Sequence, residues 1–210
     1  MPESKSINIA LFGIGTIGKR HLLAIDKIDN VKLVGIVDVS KEAEVFCASK
    51  NIPYYNNFND LKQHHKIDGV IISTPTILHY DNALEVLNFG LDVLIEKPIS
   101  ASIIEAKEIE QVAKIKNCKV LVGHQRRFYP LILKTKKVIS DNRIGQVIGI
   151  SGVWALKKDN DYFEPEWRKK ISAGPTITNL IHDIDYLRFI FGEIHSVFSF
   201  SSNMINKFKK

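Results

Sequence analysis

Two patterns of apolar residues alternate along the first 125 positions. Short runs at Ile7–Phe12, Val31–Val37, Gly69–Ser73, Asp92–Glu96 and Lys119–Gly123 are rich in Val, Ile and Leu. Runs of this length and composition read as strands covered on both faces. Between them, apolar positions recur at helical spacing. "TIGKRHLLAIDKI" carries Ile17, Leu22, Ile25 and Ile28, and "SKEAEVFCASKN" gathers Ala43, Phe46 and Cys47 on one face behind Ser40, a natural N-cap. "HYDNALEVLNFG" predicts a helix closed by Gly90, and "SASIIEAKEIEQVAKIKN" a long amphipathic one. "IPYYNNFNDL" is weaker and predicts a short strand and a short helix. Buried strands separated by helices predict right-handed crossovers and a doubly wound parallel α/β sheet over residues 1–123.

The pattern changes after "GHQRRFYP". A helix is expected over about residues 131–140, then an alternating strand with one open face in "GQVIGISGVWAL". "KKDNDYFEPEWRKKISAGP" is polar and punctuated by Pro and Gly, which predicts a long loop. "TNLIHDIDYLRFIFG" predicts a helix ending at Gly192, and Ile194–Ser202 begins another strand. The expectation for residues 124–210 is a partial α+β domain with an open sheet. Two strands and two helices make a thin domain, and the strand at 194–202 needs partners. A homo-oligomer, or association through the exposed C-terminal sheet, is therefore expected.

Composition narrows the class. A hydrophobic content of 45% and a charged fraction of 25% are ordinary for a globular protein of 210 residues. No apolar run approaches the roughly 18 residues of a membrane span. "MPESKS" lacks the basic and apolar regions of a secretory signal. Cys47 and Cys118 are far apart and form neither a redox nor a metal-binding pair, so a reducing, cytoplasmic setting without a metal site is expected. The formal charge of +6 is uneven: residues 1–125 hold 14 basic and 15 acidic side chains, residues 126–210 hold 15 and 8. That switch agrees with two domains and permits an anionic ligand in the second. Scattered basic pairs read as solvated surface rather than a nucleic-acid site.

The chemistry-bearing residues cluster where predicted strands end. Gly13-x-Gly15-x-x-Gly18 follows a buried strand and opens a helix. In this motif the first glycine permits the turn, the second lets the backbone approach a pyrophosphate, and the third lets helix and strand pack closely. The N–H groups around Thr16 and Ile17 then face the phosphates at the helix N-terminus. Asp38 ends the second strand 20 residues after Gly18 and is placed to accept from an adenosine ribose. Its carboxylate would repel a 2′-phosphate, which favours NAD over NADP, although Lys41 lies nearby. Ser73, Thr74, Pro75 and His79 follow the third clear strand at its C-terminal end and are cofactor-binding candidates, and Glu96, Lys97 and Pro98 follow the next. His79 reads as the first residue of a helix more readily than as a catalyst. Lys97 can donate to a substrate hydroxyl, or it can be a surface lysine beside a proline.

Taken together, the glycine motif, Asp38, Glu96-Lys97-Pro98, "GHQRRFYP" and "GPTITNLIHDID" resemble the Gfo/Idh/MocA family of NAD(P)-dependent oxidoreductases, from about Ile7 to Ser202. The resemblance implies an N-terminal Rossmann domain and a C-terminal α/β domain with an open sheet. It implies hydride transfer between nicotinamide and a hydroxyl-bearing carbon of a sugar, cyclitol or related polyol. Lys97 then belongs to the active site and His182 is the acid/base residue, with Asp185 one turn along the same helix. Cofactor candidates include Glu96 and Lys97 beside the glycine loop. Arg126, Trp167, Arg168, Asn179 and Asp185 are the substrate-binding candidates. Two departures stand out. The family's Asp four residues before the histidine is Thr178 here, and family members run well past 300 residues. The alternative expectation is thus a truncated, catalytically silent nucleotide-binding protein of the same fold.

Overall fold

The structure is a computed structural model, and it describes residues 6–159, 161, 164, 174 and 176–200. The chain forms two compact units, 1–123 and 124–210.

The first unit alternates strand and helix throughout: β1 (Ile7–Phe12), α1 (Thr16–Ile25), β2 (Val31–Val37), α2 (Lys41–Ser49), β3 (Tyr54–Tyr55), α3 (Phe58–His64), β4 (Gly69–Ile72), α4 (His79–Asn88), β5 (Asp92–Ile95), α5 (Ile103–Lys116) and β6 (Val120–Val122). A single 3-10 turn, Thr76–Leu78, leads into α4. All strand pairs are parallel, in the order β3-β2-β1-β4-β5-β6. The chain therefore starts at the centre, winds to one edge, returns to the centre at β4 and winds to the other. The reversal between β1 and β4 opens a crevice at their C-terminal ends, where ligands of such sheets bind.

Alternate residues of the central strands enter opposite faces. Phe12, Val34, Val70, Ile72, Val93 and Ile95 join Phe58, Leu87 and Ile109 in one buried cluster. Leu11 and Ile36 join Ile14, Leu22, Ala43 and Cys47 in the other. Both faces are thus covered by helices, which explains why the strands read as continuous apolar runs. Capping also follows the sequence. The side chains of Ser40, Asn57 and Ser102 accept from backbone N–H groups in the first turns of α2, α3 and α5.

In the second unit, a 3-10 turn at Gln125–Phe128 precedes α6 (Pro130–Ser140). A π-helical turn at Thr176–Leu180 runs directly into α7 (Ile181–Phe191). The strands expected in "GQVIGISGVWAL" and at Ile194–Ser202 are corrected here: residues 145–156 and 194–200 are in no ladder, and 201–202 lie outside the described residues. Alternation creates one apolar face, but a strand also needs a neighbour to complete its hydrogen bonds. Among the described residues of this unit none provides one, and Ile148 and Phe200 are 96% and 92% exposed. The open sheet is therefore not seen in the described part of the unit. Most of the loop expected over 157–175 lies outside the described residues.

Candidate functional site

Strand register brings the first set of candidates to one level. Phe12 lies opposite Val37 and Ile72, and Ile72 lies opposite Ile95, which lies opposite Val122. The next residue of each strand is then Gly13, Asp38, Ser73, Glu96 or Gly123. Residues 23 to 110 positions apart in sequence thus share one edge because a parallel ladder fixes them there.

The glycine loop has the shape the motif requires. Gly13 has φ +81°, and a Cβ on it would stand 2.9 Å from the Thr74 nitrogen. A Cβ on Gly18 would collide with the Gly13 carbonyl oxygen. Over Gly15, by contrast, nothing lies within 4 Å of such an atom. Two glycines close the floor of the loop and the middle one faces open space. Helix α1 begins at that opening without a side-chain cap and without an acidic residue in its first turn. Its first N–H groups, including those at Thr16 and Ile17, therefore keep the donor capacity that Ser40, Asn57 and Ser102 take up in other helices.

Asp38 buttresses this loop. One carboxylate oxygen accepts from the Ile14 N–H at 2.9 Å and the other from the Ser40 N–H at 2.9 Å. Lys41 donates to Glu44 at 2.7 Å, so its charge is engaged on α2. On the other side of the loop, the Ser73 hydroxyl donates to the Gly13 carbonyl at 2.7 Å. Thr74 donates through its hydroxyl to Asn82 at 2.9 Å, a contact the sequence pattern did not single out. Pro75 caps the 3-10 turn that follows.

The turn after β5 is held from both ends. His21, on α1 one turn past Gly18, contacts Glu96 through Nε2 and Oε1 at 2.8 Å. Glu96 Oε2 accepts from the Lys97 backbone N–H at 3.2 Å. Burial alone would push the Glu96 carboxyl up, but the His21 hydrogen bond and charge, with the Lys97 N–H and ammonium, carry it below the usual carboxylate range. Gly123 leaves room for this carboxylate, since a Cβ there would lie 3.0 Å from Oε1. His79, expected beside a cofactor, is 1% exposed and its two ring nitrogens lie 2.8 Å from the carbonyl oxygens of Thr74 and Pro98. Its ring therefore touches backbone on both sides, and direct contact with a ligand is not what this geometry offers. His21 was missed in the sequence; its only signal was its position on the Gly18 face of α1.

In the second unit, His182 and Asp185 are buried on α7. Asp185 accepts from Arg127 through both oxygens, at 2.8 and 2.6 Å, and lies 3.6 Å from His124 Nδ1. The bidentate bond raises the Arg127 pKa further. Arg126 contacts Asp183 at 3.4 Å, and the His124 and His182 rings stand edge to face with centroids 6.4 Å apart. The "GHQRRFYP" segment is thus pinned to α7 by two arginine–aspartate pairs, and Asp185 is spent on Arg127. Thr178 donates to the Gly174 carbonyl at 3.1 Å and accepts from the Asn179 amide at 2.9 Å. Trp167 and Arg168 lie outside the described residues.

Comparison with known proteins places this arrangement. The model of the oxidoreductase family with an NAD-binding Rossmann fold, GFO_IDH_MocA, matches residues 7–124, and that of the GFO/IDH/MocA C-terminal domain matches 132–209. The chain belongs to the Gfo/Idh/MocA oxidoreductase family. Inositol 2-dehydrogenase of Rhizobium meliloti is 29% identical over 188 residues, covering 90% of this chain and 56% of that protein. Glucose-6-phosphate 3-dehydrogenase of Bacillus subtilis is 26% identical over 188 residues, covering 87% and 53%. The crystal structure of myo-inositol 2-dehydrogenase from Lactobacillus plantarum superposes with a TM-score of 0.77 at 28% identity, over 90% of this chain and 57% of that one. The chain spans little more than half the length of the curated relatives it matches. Among the described residues, no helix is long and apolar enough to cross a membrane, and no three potential metal ligands cluster.

Proposed function

We propose that the first unit binds NAD(H) across the C-terminal edge of its sheet and that the chain serves hydride transfer to or from a hydroxyl-bearing carbon of a polyol or sugar. The observation that carries this reading is the glycine loop, closed at Gly13 and Gly18 and open over Gly15. Only a ligand that approaches the backbone closely needs that opening, and the uncapped start of α1 suits a pyrophosphate. Asp38 stands at the ribose end. Its charge disfavours a 2′-phosphate, and Lys41, paired with Glu44, offsets little of that. NAD is thus favoured over NADP.

Bound nicotinamide supplies the hydride acceptor or donor. The chain's residues take the other parts. Lys97, on a turn fixed through Glu96, donates to the substrate oxygen and stabilises the negative charge that develops there. His182 takes the hydroxyl proton, a task suited to an imidazole near neutral pH. Arg126, Asn179 and the region of Trp167 and Arg168 bind substrate hydroxyls. The relatives named for inositol and glucose 6-phosphate support a polyol or sugar as substrate.

Titration of the protein fluorescence with NADH and NADPH tests the reading. Tighter binding of NADH is expected; tighter NADPH binding overturns the preference, and binding of neither by the folded chain overturns the site. One observation favours a second reading, a nucleotide binder without turnover. Thr178 stands where the resemblance implies an aspartate, and its hydroxyl is committed to the Gly174 carbonyl. A panel of polyols and sugars that binds NADH-loaded chain without turnover would select it.

A further inference from the structure

His79 faces two acceptors at once. Its Nδ1 lies 2.8 Å from the Pro98 carbonyl oxygen and its Nε2 lies 2.8 Å from the Thr74 carbonyl oxygen. A carbonyl oxygen can only accept, and a neutral imidazole carries only one N–H. With one proton, the ring would donate to one carbonyl and turn a lone pair toward the other. With two protons it donates to both. The ring is buried, so no water can substitute for the missing donor.

The two carbonyls belong to different turns. Thr74 follows β4 and Pro98 follows β5, neighbouring strands in the sheet. The Thr74 turn rests on the glycine loop, because the Thr74 nitrogen is the atom nearest a Cβ on Gly13 and Ser73 donates to the Gly13 carbonyl. The Pro98 turn carries Lys97. His79 is the side chain that ties these turns together, while His21 holds the same Lys97 turn from α1 through Glu96.

We propose that His79 is a positioning residue: as an imidazolium it clasps the Thr74 and Pro98 carbonyls, and on losing a proton it releases one, so that the seat of Lys97 and the rim of the dinucleotide crevice loosen together. The functional half of this rests on the NAD(H) reading above; the clasp itself does not. The groups that act on the ring can be named. Burial, the largest influence, holds the imidazole pKa below its ordinary value with help from Lys97, although the Pro98 and Thr74 carbonyls and Glu96 pull the other way, so the clasp closes on the acid side of an ordinary histidine. His21 reaches Glu96 rather than His79, and Glu105 and Glu108 on α5, which packs on α4, act on Tyr80. The balance between a buried charge and two fixed acceptors is what makes the clasp responsive to pH.

The test uses the unmodified chain, labelled with 15N, across the range in which histidine titrates. His79 ring resonances, assigned by their loss in His79→Gln, are expected to show two protonated nitrogens at the acid end and one at the neutral end, with a midpoint below that of an ordinary histidine. The Ile99 amide, bonded directly to the Pro98 carbonyl carbon, should shift with the same midpoint. NADH affinity measured in parallel should weaken about tenfold through that midpoint, the scale of one lost charge-assisted hydrogen bond. His79→Gln should bind NADH with the weaker affinity and lose this part of the pH dependence. A ring that stays singly protonated at every pH overturns the clasp. A ring that titrates while NADH affinity stays flat overturns the positioning role. Failure to bind NADH at any pH removes the NAD(H) reading, and the ring and Ile99 signals then decide the clasp alone. Ring titration and affinity are both read on the unmodified chain, so misfolding of the variant does not blunt the test.

Discussion

The two units of this chain bury different things. Every buried apolar side chain among the described residues belongs to the first unit, from Ala10 to Ala113. Among the described residues of the second unit the buried ones are His182 and Asp185, while Val153, Val197, Phe198 and Phe200 are 80% or more exposed. One unit is organised around a core and presents its polar residues at the sheet edge. In the other, the described interior is a polar cluster of an arginine, an aspartate and two histidines. The first unit's apolar pattern closes on itself because each strand has parallel neighbours and each face has helices. The second has the same kind of pattern without, among the described residues, the partner strands that would consume it. An apolar surface of that kind seeks another surface.

This contrast predicts a ranking of substitutions. The largest effects fall on chemistry. Lys97→Ala and His182→Ala should each lower polyol turnover by about two to four orders of magnitude, the usual cost of losing a positioned acid/base or donor group. NADH affinity in His182→Ala should stay unchanged, because His182 belongs to the second unit; a parallel loss of NADH binding would contradict the division of labour. Retained turnover in His182→Ala with loss in Lys97→Ala would move proton transfer to Lys97.

Next comes the core. Phe12→Ala, removing a ring that is 2% exposed and packs edge to face on Phe58, should cost about 3–5 kcal/mol in denaturant unfolding. Asp38→Ala follows. Its loss leaves the Ile14 and Ser40 N–H groups without their carboxylate, which should cost about 1–3 kcal/mol. The preference for NADH over NADPH should fall about tenfold in paired titrations, corresponding to about 1.4 kcal/mol.

Acid stability is a smaller effect with a definite sign. The Glu96 carboxyl titrates below its ordinary value in the folded chain. Its contribution is therefore fully present above the ordinary carboxyl pKa and is lost as pH falls through the depressed folded one. Glu96→Gln should flatten the acid limb of a stability–pH curve and leave its neutral plateau shape unchanged; an unaltered acid limb would show that the His21–Glu96 pair carries no such linkage. The smallest effect is expected at Phe198→Ser. With the side chain 84% exposed, unfolding stability should change by no more than about 0.5 kcal/mol. Self-association of the 210-residue chain, followed by sedimentation, should nonetheless decrease. A clean monomer before substitution would refute the view that this surface is sticky.

Much of the first unit was legible in advance. Periodicity placed β1 and β2 at their observed bounds and β4, β5 and β6 to within one residue at each end, whereas β3 was expected only somewhere within "IPYYNNFNDL". Ser40 announced the start of α2, and the glycine spacing announced the loop before α1. These are local properties: backbone preference, capping and the face a side chain takes are decided within a few residues. The second unit was less legible for the same reason. Alternation in "GQVIGISGVWAL" and after Ile194 specifies an apolar face, whereas a ladder is a property of two segments. Sequence also named Glu96, Lys97, His79, His182 and Asp185, through position and resemblance, but named no partner within the chain for any of them. His21 on Glu96, His79 between two carbonyls, and Arg127 on Asp185 join residues 75, 5 and 19, and 58 positions apart. Parallel strand register sets the level at which Gly13, Asp38, Ser73 and Glu96 meet, and only after that level is fixed does the choice of partner exist. The sequence by itself determined the alternation of strands and helices and the glycine loop, because each depends on neighbours along the chain. Tertiary structure alone decided which histidine holds which turn, because a hydrogen bond reads distance in space.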